Sequence, residues 1–161
     1  LYNVRGPKGE RWVPVHGVLP FSRVLDFRKD LLAYYATNSE RMTKHHVTYG
    51  AMFMTVSTNA FLYEPVFYWH DIETINHRRM IPAEYLATLP KYADNPEGRK
   101  LVAEMKRGIV DIFQKHGAVH MQIGKFYPYM RGRDPQTARL MRDIKGLLDP
   151  HRHLNPGALG L

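Results

Sequence analysis

The chain contains no cysteine, and that absence excludes several kinds of chemistry at once. Disulfides, thiolate nucleophiles, zinc–thiolate sites and iron–sulfur clusters all depend on this residue. No apolar run reaches the roughly 18 residues that a membrane-spanning helix needs, so none is predicted. Leu1 is not an initiator methionine and no signal-peptide pattern follows it, so we expect a segment or domain to precede the chain. We expect a cytoplasmic protein, with peripheral membrane association left open.

Long blocks of like charge are absent as well, although 23 Lys and Arg face 15 Asp and Glu and the formal net charge is +8. Such an excess would suit a polyanionic partner. Because the basic residues are scattered, a solvated surface or an acidic neighbouring domain explains them better, and we expect no nucleic-acid partner. The 161 residues fit one domain, or one domain with an appended segment.

The spacing of the apolar residues predicts an α+β fold. The predicted elements are a strand at 11–18, a helix at 22–37 with Ser22 as N-cap, strands at 46–57 and 61–70 joined as a hairpin, one short helical piece within 71–94, a helix from Pro96 to Lys115 with Gly117 at C′, a short strand at 118–123 and a helix near 135–148. Pro14 indicates that the first strand lies at a sheet edge or bulge. This order of elements is that of a ferredoxin-like antiparallel sheet with helices on one face.

The segment after Lys125 is not needed to complete a ferredoxin-like fold. It contains an aromatic loop and the predicted helix near 135–148. The apolar stripe of this helix is formed by Leu140, Met141, Ile144, Leu147 and Leu148. A helix with one apolar stripe buries it against a neighbour, so we expect this helix to lie on another surface.

The tail carries the most specific pattern in the sequence. A helix bearing Lys145 is followed by Leu148-Asp149-Pro150, three variable residues, and then Leu154-Asn155-Pro156-Gly157. Gly124-Lys125 stands just before the same helix. This terminus resembles that of the FAD-linked oxidases of the vanillyl-alcohol oxidase and D-2-hydroxy-acid dehydrogenase type.

The resemblance implies a two-domain enzyme, with an N-terminal FAD-binding domain and an antiparallel cap domain over the flavin ring. Residues 1–123 would be the later part of the cap, or substrate, domain, and residues 124–161 a helical tail that packs on the FAD domain. The chain has no Gly-rich pyrophosphate loop near its start, so the FAD-binding domain itself lies outside it. The expected partners are that domain, in the same or a preceding polypeptide, and a small-molecule substrate; a homo-oligomer is also compatible.

The resemblance also bears on the substrate. Phenol-oxidising relatives place a Tyr-Arg pair where this chain has His120-Met121, so a phenol is disfavoured. The expected reaction is oxidation of an alcohol or 2-hydroxy acid by hydride transfer to FAD. The chain alone is expected to be inactive, because the flavin half of the active site is elsewhere.

Two residues are candidate catalytic groups. His120 lies on the segment that faces the flavin in relatives, and an imidazole suits the removal of a hydroxyl proton. Glu64 stands on an otherwise apolar and aromatic strand face, where a carboxylate is costly unless it pairs or works. Tyr68 and His70 share its alternation and are candidate substrate ligands. An ordinary histidine at 120, and a salt bridge to a nearby Arg for Glu64, stay open as alternatives.

Four loop and tail residues complete the candidate site. Lys125 and Asn155 are expected to bind the cofactor, and Tyr127 and Arg131 the substrate, with Arg131 able to hold a carboxylate through two hydrogen bonds. No metal is expected, because the Gly-Asp-Gly-Asn element that accompanies the metal-binding histidines of the hydroxy-acid relatives is not present. A surface role for Lys125 and Arg131, and simple loop packing for Tyr127, are the alternatives.

Two other classes of function compete with this interpretation. One is a ferredoxin-like nucleic-acid-binding module, because Tyr49 to Phe53 on a predicted strand is similar to the aromatic platform of RNA-recognition domains. The other is a non-catalytic remnant of the oxidase family.

Overall fold

The computed structural model describes residues 5–122 and 124–161, and it is α+β. Its elements are β1 Arg11–Pro14, β2 Gly17–Pro20, α1 Val24–Thr37, α2 Ser39–Lys44, β3 Val47–Val56, β4 Ala60–Trp69, α3 Ile75–Met80, α4 Ala83–Thr88, α5 Pro96–Lys115 and α6 Pro135–Leu148, with short 3-10 turns at Phe21–Arg23 and Ala158–Gly160. The chain forms two compact units, one ending at Ala118 and the other running from Val119 to Leu161.

The four-stranded antiparallel sheet of the first unit is built around β4. On one side β3 pairs with its full length, from Val47 opposite Trp69 to Val56 opposite Ala60. On the other side β1 pairs with the end of β4 and β2 with its beginning. The predicted strand at 11–18 is therefore an edge strand interrupted after Pro14, as the proline indicated.

The predicted ferredoxin-like arrangement is not confirmed. Both β3 and the β1–β2 edge run antiparallel to β4, so three of the expected strands are present in the expected order. The fourth strand, predicted at 118–123, is not part of the sheet in the described residues, where Val119 forms only a single bridge. Residue 123 lies outside the described residues.

One face of the sheet is covered by α1 and α5 through aromatic contacts. Phe27 of α1 stacks on Phe113 of α5 at 4.3 Å between ring centroids and meets Tyr63 of β4 edge-on at 5.2 Å. A Cβ at Gly17 would lie 2.5 Å from the Phe113 ring, so only glycine lets α5 approach β2 this closely. Since strand side chains alternate, Leu62, Glu64, Val66 and Tyr68 lie on the opposite face.

A buried aspartate joins the end of β4 to two other elements. Asp71 is 0% exposed and accepts hydrogen bonds from Arg11 at 2.8 Å and Arg99 at 2.6 Å. The Trp69 indole and the backbone N–H groups of Ile72 and Asn95 also donate to it. Burial alone would raise the pKa of Asp71, but these hydrogen bonds together lower it below its ordinary value.

Asn95 connects the same region to α5. Its Nδ2 donates to the carbonyls of His45 and His70, both at 2.9 Å, and its Oδ1 accepts from the Gly98 N–H at 2.8 Å. The side chain is therefore both the N-cap of α5 and a tie between β3 and β4.

The observed ends of the helices agree with one of the two predicted caps. The prediction that Ser22 caps α1 is wrong, because Ser22 lies inside the 3-10 turn and Arg23 precedes the helix. At the other end of α5, Gly117 has φ of 71°, as expected for a C′ glycine. The segment 71–94 contains two short helices, α3 and α4, where one was predicted.

Candidate functional site

The tail of the second unit is organised around Asp149. This carboxylate accepts the backbone N–H of His153 at 2.8 Å and of Leu154 at 3.0 Å, and it forms an ion pair with Lys145. Lys145 also donates to the Leu154 carbonyl at 2.6 Å. The hydrogen bond from Lys145 is the main reason that the pKa of Asp149 is lowered. The Lys, Asp and Leu of the tail pattern thus hold the chain in one turn.

A pocket of about 470 Å³ lies beside this turn. A backbone hydrogen bond of 2.8 Å from Leu159 to the Gly124 carbonyl joins its two sides. The lining residues are Gly124, Lys125, Lys145, Leu154, Asn155, Ala158, Leu159 and Leu161. Both predicted cofactor ligands, Lys125 and Asn155, therefore line a single pocket, although they are thirty positions apart in the sequence.

The polar side chains of this pocket differ in whether they already have hydrogen-bond partners. Lys145 is held by Asp149 and Leu154. In the part of the chain that the structure describes, no hydrogen bond or ion pair engages the side chains of Lys125 and Asn155, and both are exposed. Gly157, with φ of 79°, reverses the chain so that its N–H reaches the Leu161 carbonyl at 3.0 Å. The pocket thus presents the Lys125 ammonium and the Asn155 amide beside apolar side chains.

His120 and Tyr127 also lie together in the second unit. Their rings stack with centroids 4.2 Å apart and planes inclined by 22°. Tyr127 is buried and His120 is half-buried, so the stack fixes the plane of the imidazole. Arg131, in the same loop, is exposed.

The predicted strand site is only partly assembled. Glu64 and Tyr68 share the face of β4 that lies away from α1 and α5, and burial raises the pKa of the Glu64 carboxyl. The Tyr68 ring lies beside Gly50, where an added Cβ would be 3.7 Å away. The structure shows no salt bridge from Glu64 to an arginine within the described residues, so that alternative is not supported.

His70 has different neighbours from Glu64. It lies just beyond β4, and its ring stacks between His46 at 5.2 Å and Tyr92 at 4.1 Å. Burial and the nearby His46 lower its pKa. Neither His46 nor Tyr92 could be associated with His70 from the sequence, because neither has a helical or strand spacing to it. The fold brings the three rings together.

Tyr49 and Phe53 do not form a platform on the open face of the sheet. Tyr49 stacks on Tyr35 of α1 at 3.8 Å, and Phe53 packs near Tyr63 at 6.0 Å, so both rings are on the helix side. The arrangement expected of an RNA-recognition domain is therefore not supported.

Among residues 5–122 and 124–161, no group of three His, Asp or Glu side chains is placed to hold a metal ion. No helix in these ranges is both long and apolar enough to cross a membrane.

The comparison with protein families decides the class of the tail. Residues 112–159 match the family FAD linked oxidases, C-terminal domain. The match begins in the last turn of α5, covers less than a third of the chain and includes all five candidate residues of the second unit. The chain thus carries a segment similar to the C-terminal domain of FAD-linked oxidases, in a family of oxidoreductases that bind FAD. No match was found among curated proteins or among solved structures.

Proposed function

We propose that this chain is the substrate-side part of an FAD-dependent oxidoreductase, comprising the later part of a cap domain and the tail that returns to an FAD-binding domain. The substrate is an alcohol or a 2-hydroxy acid. One observation carries the proposal: the segment that matches the oxidase family is the segment that brings Lys125 and Asn155 to one pocket.

The residues of the pocket fit the cofactor that the family binds. Lys125 supplies a positive charge for an anionic group of FAD, and Asn155 supplies an amide that can both donate and accept. Leu154 and Leu159 provide apolar contact. When bound, the flavin supplies the hydride acceptor of the reaction.

The chemistry assigned to the chain itself is proton transfer and substrate positioning. His120 takes the proton of the substrate hydroxyl, and the stack on Tyr127 keeps its ring in one plane. Arg131 holds the carboxylate of a hydroxy acid with two parallel hydrogen bonds. Glu64 and Tyr68 supply polar contacts on the open sheet face, and Glu64 is the second candidate for the base because its raised pKa favours proton exchange nearer neutrality.

The partner of the tail is an FAD-binding domain. Four large apolar side chains of α6 are exposed, Leu140, Ile144, Leu147 and Leu148, with Leu147 81% and Leu148 72% accessible. A contiguous apolar stripe of this kind usually marks an interaction surface. We assign it to the FAD-binding domain, and we assign the first unit to the later part of the cap domain.

The test uses the polypeptide that includes the FAD-binding domain. We expect it to purify with flavin absorbance, and His120→Asn to keep the flavin while its reduction by substrate slows by about 10²–10⁴-fold, because the base is lost. Lys125→Ala with Asn155→Ala should lower flavin retention instead. His151→Asn, at an exposed position in the tail, is the matched control and should change neither property.

A polypeptide that binds no flavin in any form would contradict the whole proposal. An unchanged rate of flavin reduction in His120→Asn, with flavin bound, would contradict only the assignment of His120 as the base. Glu64 would then be the candidate base.

A further inference from the structure

Strand β3 leaves one edge of the sheet open. It pairs with β4 along all ten residues, and no other strand of the described residues pairs with it. Natural proteins protect such edges with charged residues, proline or bulges. The segment Val47–Val56 contains no Lys, Arg, Asp, Glu or Pro. This edge is therefore unprotected against pairing with another strand.

The absence of charged side chains from β3 favours a second copy of the chain as the partner. The chain carries a formal charge of +8, so two copies repel each other over most of their surfaces. No charged residue occurs from His45 to Tyr63 apart from the histidines, so this hairpin is a place where two copies can meet without that repulsion.

The edge carries a projecting aromatic side chain. Phe53 is 61% exposed, although it lies on the helix side of the sheet near Phe61 and Tyr63. On the other side of the strand Met52 and Met54 are about half exposed. Exposed side chains of this size along an open strand are typical of an interaction surface.

The same edge carries a matching groove. A depression of about 350 Å³ lies between β3 and the two helices α1 and α2. Its floor is the stacked pair of Tyr35 and Tyr49, and Leu32 and Met42 form apolar walls. The groove thus lies on the helix side of the sheet, which is also the side that carries Phe53.

We propose that β3 pairs in antiparallel fashion with β3 of a second copy, about a twofold axis at Ala51. In that register Tyr49 lies opposite the partner's Phe53, and Gly50 opposite the partner's Met52. Phe53 and Tyr49 are each two residues, or about 7 Å, from the axis. Each copy therefore places its Phe53 in the groove of the other, which is the self-complementarity that a twofold interface requires.

The size of the contact sets the expected strength. The exposed parts of Tyr49, Met52, Phe53 and Met54 on two copies amount to roughly 800 Å². Stable complexes bury about 1,200–2,000 Å² in all, so the strand ladder and Leu32 must supply the rest. We expect a dissociation constant in the micromolar range.

The register can be tested by crosslinking, because the chain has no cysteine of its own. In the full chain, Ala51→Cys places two thiols across the axis, where Cα atoms of paired strands lie about 4.5–5.5 Å apart, within the range of a disulfide. Mild oxidation should convert most of this variant to a covalent dimer. The matched control is Thr55→Cys, whose two copies would be about 27 Å apart and should not crosslink.

A second pair of variants tests the interface in solution by analytical ultracentrifugation. Phe53→Lys and Tyr49→Glu should each raise the dissociation constant more than about tenfold, and mixing the two should restore association through a Lys–Glu pair across the strands. Leu25→Lys, at an exposed position on α1, should change it less than about twofold. A chain that stays monomeric at high micromolar concentration, or Thr55→Cys crosslinking as well as Ala51→Cys, would overturn the proposal.

Discussion

The two units of the molecule each contain a buried aspartate, and the two carboxylates are used differently. Asp71, 0% exposed, binds Arg11 and Arg99, which are distant in sequence, and so joins β1, β4 and α5. Asp149, 7% exposed, binds residues within the stretch 145–154 and no others among those that the structure describes. One carboxylate holds a tertiary structure together, whereas the other shapes a local turn.

The apolar residues repeat this contrast. In α5 seven residues are buried, among them Leu101, Met105 and Phe113. In α6, an equally amphipathic helix, Ala138 is the one buried residue of those described. The first unit therefore contains its own core, while the second keeps its shape by local polar contacts and presents apolar side chains outward. An amphipathic pattern identifies a helix face that needs a neighbour, but it does not say that the neighbour belongs to the same unit.

The largest expected loss of folding stability distinguishes α5 from α6. Leu101→Ala, at a buried position of α5, should lower the free energy of unfolding by about 2–5 kcal/mol, since it leaves a cavity in the core. Leu147→Ala, at an exposed position of α6, should lower it by less than about 0.5 kcal/mol. Urea unfolding of the full chain measures both, and equal losses would remove the distinction between the units.

A smaller loss is expected from Asp71→Asn. The substitution removes the charge between two arginines and should cost about 2–3 kcal/mol, because Arg11 and Arg99 are partly exposed and recover some hydration. Asp94→Asn, at the exposed second partner of Arg99, is the control and should cost less than about 0.5 kcal/mol.

The same variant has a defined pH dependence. Because the pKa of Asp71 is lowered on folding, its contribution is fully present above the ordinary carboxyl pKa of about 4 and is lost as the pH falls through the lower folded value. The stability gap between the native chain and Asp71→Asn should therefore be constant near neutral pH and narrow in acid. A gap that instead widened in acid would show that the carboxylate is not held in its charged form.

The smallest global effect is expected at Asp149. Asp149→Ala should leave the unfolding of the first unit unchanged, because the partners of its carboxylate within residues 5–122 and 124–161 all lie in the tail. Amide hydrogen exchange at His153 and Leu154 should become faster, since both N–H groups donate to the carboxylate. Asp143→Ala, on the exposed side of α6, is the control and should not alter exchange at those amides.

Elements with a strong local pattern could be predicted from the sequence. Pro96 and Gly117 marked the two ends of α5, and the apolar spacing of α6 matched its observed bounds. The Ser22 cap was wrong because the chain enters α1 through a 3-10 turn, a choice that local residue preferences do not encode. The predicted strand at 118–123 depended on apolar composition alone, and composition cannot tell whether a sheet edge accepts a further strand.

The candidate site could also be predicted from the sequence only in part. Lys125 and Asn155 could be associated only through the tail pattern, and the pocket that both line follows from the Asp149 turn. His70 was grouped with Glu64 by strand alternation, yet β4 ends at Trp69 and the next residue turns toward His46 and Tyr92. Alternation holds only while the strand continues. The boundary predicted after residue 123 and the roles of the site residues stay predictions.

The two asparagines with assigned tasks share a feature that affects how the protein ages. Asn95 is followed by Pro96 and Asn155 by Pro156. Asparagine deamidates when its side chain is attacked by the backbone nitrogen of the next residue, and proline has no N–H with which to do this. Asn3, Asn38, Asn59 and Asn76 are followed by residues that retain that hydrogen. Deamidation should therefore accumulate at these four positions, while the amide that ties the sheet to α5 and the amide in the pocket outlast them.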